Sequence, residues 1–149
     1  MEKTYMLEAL KQAQIAFDEG EVPVGAVIVK NGKIIASSHN RRERGNDATA
    51  HAEILSIREA CETLGTWRLS DCEMYVTLEP CPMCAGAIVN ARLKKVHFAA
   101  KDARGGAFGS VLNLNSLPLF CKPELNVGEC EAESTKLMRD FFKKRRTEN

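Results

Sequence analysis

Two short stretches hold the residues with chemistry in them. One is His51-Ala52-Glu53, and the other, after Glu79, is Pro80-Cys81-Pro82-Met83-Cys84. A Cys-x-x-Cys can turn two thiolates on one ion, and the separated His supplies a third ligand. Three protein ligands leave one tetrahedral position for water, which is the arrangement of a catalytic rather than a structural zinc. Glu53 lies two residues past the His, placed to handle that water's proton rather than to be a fourth ligand. A Cys-x-x-Cys alone would equally suit a redox pair. His51 alone reads as a core histidine and Glu53 alone as a solvated helix residue. Read together, the four favour zinc.

Two helices must bring them together. Pro80 and Pro82 bracket Cys81, and Pro suits the first turn of a helix, where its missing N–H is not needed. A helix over residues 82–91 then sets Cys81 and Cys84 one turn apart at an N-terminal end, whose partial positive charge favours thiolate. His51 and Glu53 open a second helix over residues 51–64, with Ile54, Leu55 and Ile57 partly on its buried face and Gly65 as the stop. Ala85, Gly86 and Ala87 allow close packing of the 82–91 helix.

Around this pair the chain alternates. Tyr5 or Met6, Leu10, Ala13 and Phe17 recur at helical spacing over residues 2–19, ended by Gly20. Residues 26–30 and 33–39 are strands joined at Asn31-Gly32, a type I′ hairpin signal. Residues 40–50 are polar loop, residues 73–78 and 95–100 are strands, and residues 124–128 form a further short strand. The Gly-rich segment 102–110 is a flexible or tightly turned loop without a phosphate-cradle pattern. Residues 112–119 are apolar but broken by Asn and Pro, and carry no assignment. A terminal helix over residues 131–146 sets Leu137, Met138, Phe141 and Phe142 against a cationic side. This order predicts an α/β layered fold around a mixed sheet.

The chain has 149 residues, enough for one domain with a substantial core. No apolar run is long enough to span a membrane and no signal peptide opens the chain, so the expected compartment is the cytoplasm. With six Cys in a chain of this kind, a disulfide framework is not expected, and Cys61, Cys72, Cys121 and Cys130 read as packing residues. The net charge of +1 does not advertise nucleic-acid binding. The distribution does more: Arg41, Arg42 and Arg44 precede the His51 motif, and Lys143, Lys144, Arg145 and Arg146 crowd the C-terminus. Such clusters contact phosphates or simply solvate a helix end.

His-x-Glu followed by Pro-Cys-x-x-Cys is the signature of zinc deaminases. The chain resembles the cytidine-deaminase superfamily and, within it, the bacterial tRNA-specific adenosine deaminases. The resemblance runs nearly the full length, through Glu21-Val22-Pro23-Val24-Gly25, Asn40-Arg41, Thr49-Ala50-His51-Ala52-Glu53, Leu78-Glu79-Pro80-Cys81, Asp102-Ala103 and Asp140-Phe141-Phe142 with Arg145-Arg146. It implies a three-layer α/β fold of the cytidine-deaminase type, with a central mixed five-stranded sheet and helices on both faces, as a single domain over residues 1–149. It implies deamination of adenosine to inosine at the wobble position of a tRNA anticodon. His51, Cys81 and Cys84 would hold one zinc per subunit, and Glu53 would shuttle the protons of the water that zinc activates. Asn40 would hydrogen-bond the flipped base, Val22, Pro23, Leu78 and Pro80 would line its pocket, and the Ala52 backbone would orient it. Asp102 would lie by the substrate backbone, and Phe141, Phe142 and Arg145 by the anticodon stem-loop. The family is homodimeric.

The chain departs from the family at Ala48, where a Pro is common, so the loop before the first metal helix is expected to be less rigid. Two other readings fit parts of the pattern. A deaminase of guanine, cytosine or a free nucleoside would use the same zinc and Glu53 but would not need the basic segments. A non-catalytic zinc module would want a fourth Cys or His, and none of the remaining Cys or His has paired spacing.

Overall fold

Successive residues of the inner strands are buried on opposite sides. Ala26 and Ile28, Met74 and Val76, and Val96 and Phe98 share one apolar cluster, while Val27, Val29, Tyr75 and Ala99 share another. A strand's side chains alternate faces, so a sheet with both faces buried must carry a layer on each. The computed structural model describes residues 2–148. Its elements are α1 (Glu2–Asp18), β1 (Gly25–Lys30), β2 (Lys33–His39), α2 (Ala52–Leu64), β3 (Glu73–Leu78), α3 (Pro82–Asn90), β4 (Lys95–Ala100), β5 (Glu124–Val127) and α4 (Glu131–Glu148). The unassigned segment contains a short 3-10 turn at Leu114–Ser116, opened by the Asn113 side chain. The sheet order is β2-β1-β3-β4-β5, with β1 antiparallel to both β2 and β3, and β3, β4 and β5 mutually parallel. This is the expected mixed five-stranded sheet between helical layers.

The Asn31-Gly32 hairpin has φ of 50° and 76° at its two central residues, as a type I′ turn requires. Helix α1 buries Met6, Ala9, Ala13 and Ala16, a smaller stripe than the sequence suggested. The reason is close approach. A Cβ on Gly25 would lie 2.0 Å from the Ala9 carbonyl oxygen, so α1 rests directly on β1. Leu10 and Phe17 turn instead toward α4, where Phe17 meets Phe141 at 6.0 Å. Helix α2 likewise packs through Ala52, Ser56 and Ala60, and Ile54, Leu55 and Ile57 are only half-buried. Ser56 donates to the Ala26 carbonyl at 3.1 Å, which ties α2 to β1.

His97 is a true core histidine. It stacks on Tyr75 at 4.0 Å and sits between Glu73 (2.8 Å at Nε2) and Asn126 (3.1 Å at Nδ1). On the same side of the sheet, Ser134 of α4 donates to the Thr77 carbonyl at 2.5 Å. That bond docks α4 over the end of β3, and so delivers its C-terminal half to the site described next.

Candidate active site

Helices α2 and α3 start at the same end of the sheet, past the carboxyl end of β3, where open α/β sheets bind their ligands. His51 is the residue immediately before α2, with extended φ/ψ of −78° and 152°. Cys81 is the residue before α3, at −74° and 173°. It is therefore not on the helix face with Cys84, as its spacing suggested. Pro82 takes the first helical position, and Cys84 enters from the first turn. Neither His51 nor Cys81 spends its side chain on capping. Both point at one another instead.

His51 Nδ1 lies 3.7 Å from Cys81 Sγ and 3.5 Å from Cys84 Sγ. Among the described residues these three form a group whose ligand atoms all lie within 4.8 Å of one another. A tetrahedral ion with M–N near 2.05 Å and M–S near 2.3 Å holds its N and S ligands about 3.6 Å apart. The spacing fits such an ion without rearrangement. Hydrogen bonding from Cys84, and then from His51, lowers the Cys81 thiol to about 4. Its thiolate hydrogen-bonds His51, which raises the imidazole pKa. Cys84, sharing its proton with Cys81 and buried, is shifted upward. These bonds favour a thiolate at Cys81 over one at Cys84.

Glu53 points into the same space from the first turn of α2 and is 4% exposed. Burial raises its carboxyl to about 7, with smaller opposing contributions from its own backbone and His51. A carboxyl at that value both accepts and returns a proton near neutral pH.

The site forms the floor of a cavity of about 230 Å³. Val22, Asn40, Leu78, Asp102, Phe142 and Arg145 line it. Four other candidates do not. Pro23 and Pro80 are buried behind the lining, and Pro80 uses its carbonyl to accept the Ala107 N–H at 2.9 Å. Ala52 is in the core, and its N–H donates to Asn40 Oδ1 at 2.8 Å, so that amide does not face the cavity. Phe141 is buried against Phe17, because adjacent residues on a helix cannot share a face. Asn40 itself bridges two elements, since its Nδ2 also donates to the Val22 carbonyl at 3.1 Å.

The walls are held by two buried carboxylates the motifs did not single out. Glu21, 1% exposed, accepts the N–H groups of Glu43 (3.1 Å) and Arg44 (2.7 Å). Asp47 accepts the Thr49 N–H and hydroxyl, each at 2.8 Å, which lowers its pKa. The loop before α2 is therefore fixed by hydrogen bonds despite Ala48. Glu79, 3% exposed, accepts from the N–H groups of Asp102 (3.0 Å), Phe108 (3.0 Å) and Ser110 (3.1 Å), and from the Ser110 hydroxyl. The segment expected to be a flexible or tight loop is tight. A Cβ on Gly106 would lie 2.2 Å from the Glu79 carboxyl carbon, so a side chain there would force the carboxylate and the loop apart. Burial opposes the Glu79 charge, but these bonds outweigh it and hold the carboxyl below its ordinary range. Arg42, Arg104, Glu43 and Met138 also line the cavity. The signal for Glu21 and Glu79 was a carboxylate set beside an apolar strand run, a position seldom occupied without a partner.

A family model described as MafB19-like deaminase matches residues 1–146. The chain is 49% identical over 146 residues to a Bacillus subtilis protein named tRNA-specific adenosine deaminase, spanning 97% of this chain and 91% of that protein. A Rickettsia felis protein of the same name is 51% identical over 142 residues, spanning 93% and 99%. A solved structure from biochemical and structural studies of A-to-I editing by tRNA:A34 deaminases at the wobble position superposes with a TM-score of 0.88 at 46% identity, covering 90% of this chain and 98% of that one. A guanine deaminase from Bacillus subtilis gives a TM-score of 0.63 at 37% identity, covering 78% and 85%.

Proposed function

The chain belongs to the tRNA-specific adenosine deaminases, and from that premise we propose that it hydrolyses adenosine to inosine at the wobble position of a tRNA anticodon. One water is consumed and ammonia leaves from C6. The observation that carries this reading is the joining of one buried Glu53 and a His51-Cys81-Cys84 trio under a cavity rimmed by Asp102, Phe142 and three arginines.

The ion these ligands suit is zinc, one nitrogen and two sulfurs being its usual catalytic company. Held by His51, Cys81 and Cys84, zinc would supply a water acidic enough to ionise near neutral pH. The protein's residues do the rest. Glu53 would take a proton from the attacking water and give it to the ring nitrogen; once the C6–O bond has formed, it would take the proton of the new hydroxyl and pass it to the leaving amine. Val22 and Leu78 present apolar surface to a base entering the cavity. Asn40 offers a base edge the N–H that its bond to Val22 leaves over. Asp102 and Phe142 flank the mouth, and Arg42, Arg104 and Arg145 meet phosphates. Base extrusion into such a pocket is favoured in a loop, where little stacking is lost.

The rim distinguishes this reading from a guanine deaminase. A free base carries no phosphate, and cations from three separate elements would have nothing to neutralise. A homodimer fits the exposed apolar side chains Met83, Val111, Leu112 and Phe120. The described residues include no helix long and apolar enough to cross a membrane. A cytoplasmic location suits an enzyme whose substrate is tRNA. A single domain over residues 1–149 accommodates all of these parts.

The test offers the zinc-loaded protein an anticodon stem-loop RNA with a wobble adenosine, beside free adenosine, cytidine and guanine. Inosine should form in the RNA alone, and turnover of a free base alone would overturn the assignment. Glu53→Ala should keep its metal and lose turnover, whereas an active Glu53→Ala would remove Glu53 from the proton path.

A further inference from the structure

Glu79 has no part in the chemistry above, yet it is a buried carboxylate with every hydrogen bond directed at one loop. Oxygen Oε1 takes the Asp102 N–H at 3.0 Å and the Ser110 hydroxyl, and Oε2 takes the Phe108 and Ser110 N–H groups at 3.0 and 3.1 Å. The donors span nine residues of chain and wrap it around one side chain. Within the wrap, Asp102 Oδ1 accepts the Arg104 N–H at 3.0 Å, and the Gly106 N–H returns to the Asp102 carbonyl at 2.9 Å. Glu79 stands on β3's exit, two residues before Cys81. The loop is thereby referenced to the metal ligands through one short, buried strand end. Asp102 and Arg104 both reach the cavity from it.

We infer that Glu79 is a positioning residue for substrate, and that it acts through Arg104, which it holds at the cavity mouth as a phosphate contact for the strand carrying the target nucleotide. This rests on the RNA reading of the same cavity. A rim cation on a loose loop would neutralise phosphate at a cost in ordering entropy each time substrate bound. A loop wound on a buried carboxylate has met that cost during folding.

The chemistry of an amide at this position makes the inference sharp. In Glu79→Gln, the amide oxygen can stay where Oε2 is and keep the Phe108 and Ser110 N–H groups. The amide NH2 then occupies the place of Oε1. There it can donate to the Ser110 hydroxyl, but it faces the Asp102 N–H with a donor of its own. The substitution therefore frees the Asp102–Arg104 end and leaves the Ser110 end attached.

The experiment measures binding of the anticodon stem-loop RNA in zinc-loaded protein carrying Glu53→Ala, which removes turnover. Glu79→Gln and Arg104→Ala are added singly and together. Residues acting as one unit give non-additive effects, so Arg104→Ala should weaken binding about fivefold where Glu79 is intact and less than about twofold in the Glu79→Gln background. It should also reduce the salt slope by about one phosphate's share only where Glu79 is intact. Gly106→Ala pushes the loop off from the other partner, keeps the carboxylate, and should abolish the Arg104 contribution in the same way. A merely structural Glu79 would leave the Arg104 effect equal in all backgrounds, and that additivity would overturn the inference while leaving the deaminase reading standing. No RNA binding by the Glu53→Ala protein would overturn both.

Discussion

Asn40 offers a prediction in which stability and substrate binding come apart. Its side chain accepts the Ala52 N–H at 2.8 Å and donates to the Val22 carbonyl at 3.1 Å, at 9% exposure. Ala52 opens the helix that begins just after His51, so the bridge fixes the direction from which His51 approaches Cys81 and Cys84. Asn40→Ala removes both partners at once. Each buried polar group left unpaired costs about 1–3 kcal/mol, and water entering from the adjacent cavity offsets part of this, so a net loss of about 2–4 kcal/mol is expected. In a domain of this size each kcal/mol moves Tm by about 2–4 °C, which gives a fall of about 4–16 °C. Thermal unfolding of the metal-loaded protein, with metal content measured alongside, is the assay. Asn40→Asp is the informative partner. It retains the acceptor for Ala52 but sets a carboxylate oxygen against the Val22 carbonyl, so it should recover little of the loss. An Asn40→Ala protein with unchanged Tm and full metal would refute the bridge as a structural element and leave Asn40 a substrate contact alone.

Other outcomes follow from the same geometry. His51→Ala, Cys81→Ala and Cys84→Ala should each lose metal, read by elemental analysis, and lower Tm, since metal binding is coupled to folding. Cys81, lowered to about 4 by hydrogen bonding from Cys84 and His51, is expected to be mostly thiolate at pH 6. After metal removal it should be alkylated at pH 6 ahead of Cys72, whose thiol burial raises to about 11, and re-added zinc should protect it; peptide mass mapping decides. The Glu79 carboxyl is held low, so its contribution is complete above the ordinary carboxylate range and is lost as pH falls through its folded value. Glu79→Gln should accordingly flatten the acid limb of the stability curve, and an unaltered limb would contradict the hydrogen-bond count. Arg145→Ala with Arg146→Ala should weaken stem-loop binding and reduce the dependence of log K on log salt.

The elements themselves were legible where their signals are local. Asn31-Gly32 announced a hairpin because both φ values must be positive there, and the helix starts at His51 and Cys81 were marked by flanking Pro and by motif spacing. What stayed hidden depends on partners far along the chain. A periodicity cannot show that Gly25 lets α1 sink onto β1, which keeps Ala13 buried but exchanges Leu10 and Phe17 for Ala9 and Ala16. Glu21 finds its donors 22 and 23 residues away, and Glu79 finds its own 23 to 31 residues away. A sequence shows such a carboxylate without showing what it holds. His51, Cys81 and Cys84 were readable as one candidate ligand group because spacing decides that. The extended conformation of Cys81, outside the helix, was not, because one residue at a helix start belongs to either side.

The candidate ligands are divided between the two halves of the chain, with His51 before the turn that follows α2, and Cys81 and Cys84 after it. That turn, Gly65 to Arg68, is exposed, the kind of place where a backbone tolerates being cut. Each fragment from such a cut would carry an incomplete coordination set, one nitrogen or two sulfurs. Neither should bind the ion tightly by itself. Mixed together, the fragments should regain it only as β1 finds β3 and the sheet closes, so uptake of metal would become an optical or calorimetric signal for two pieces of chain recognising each other.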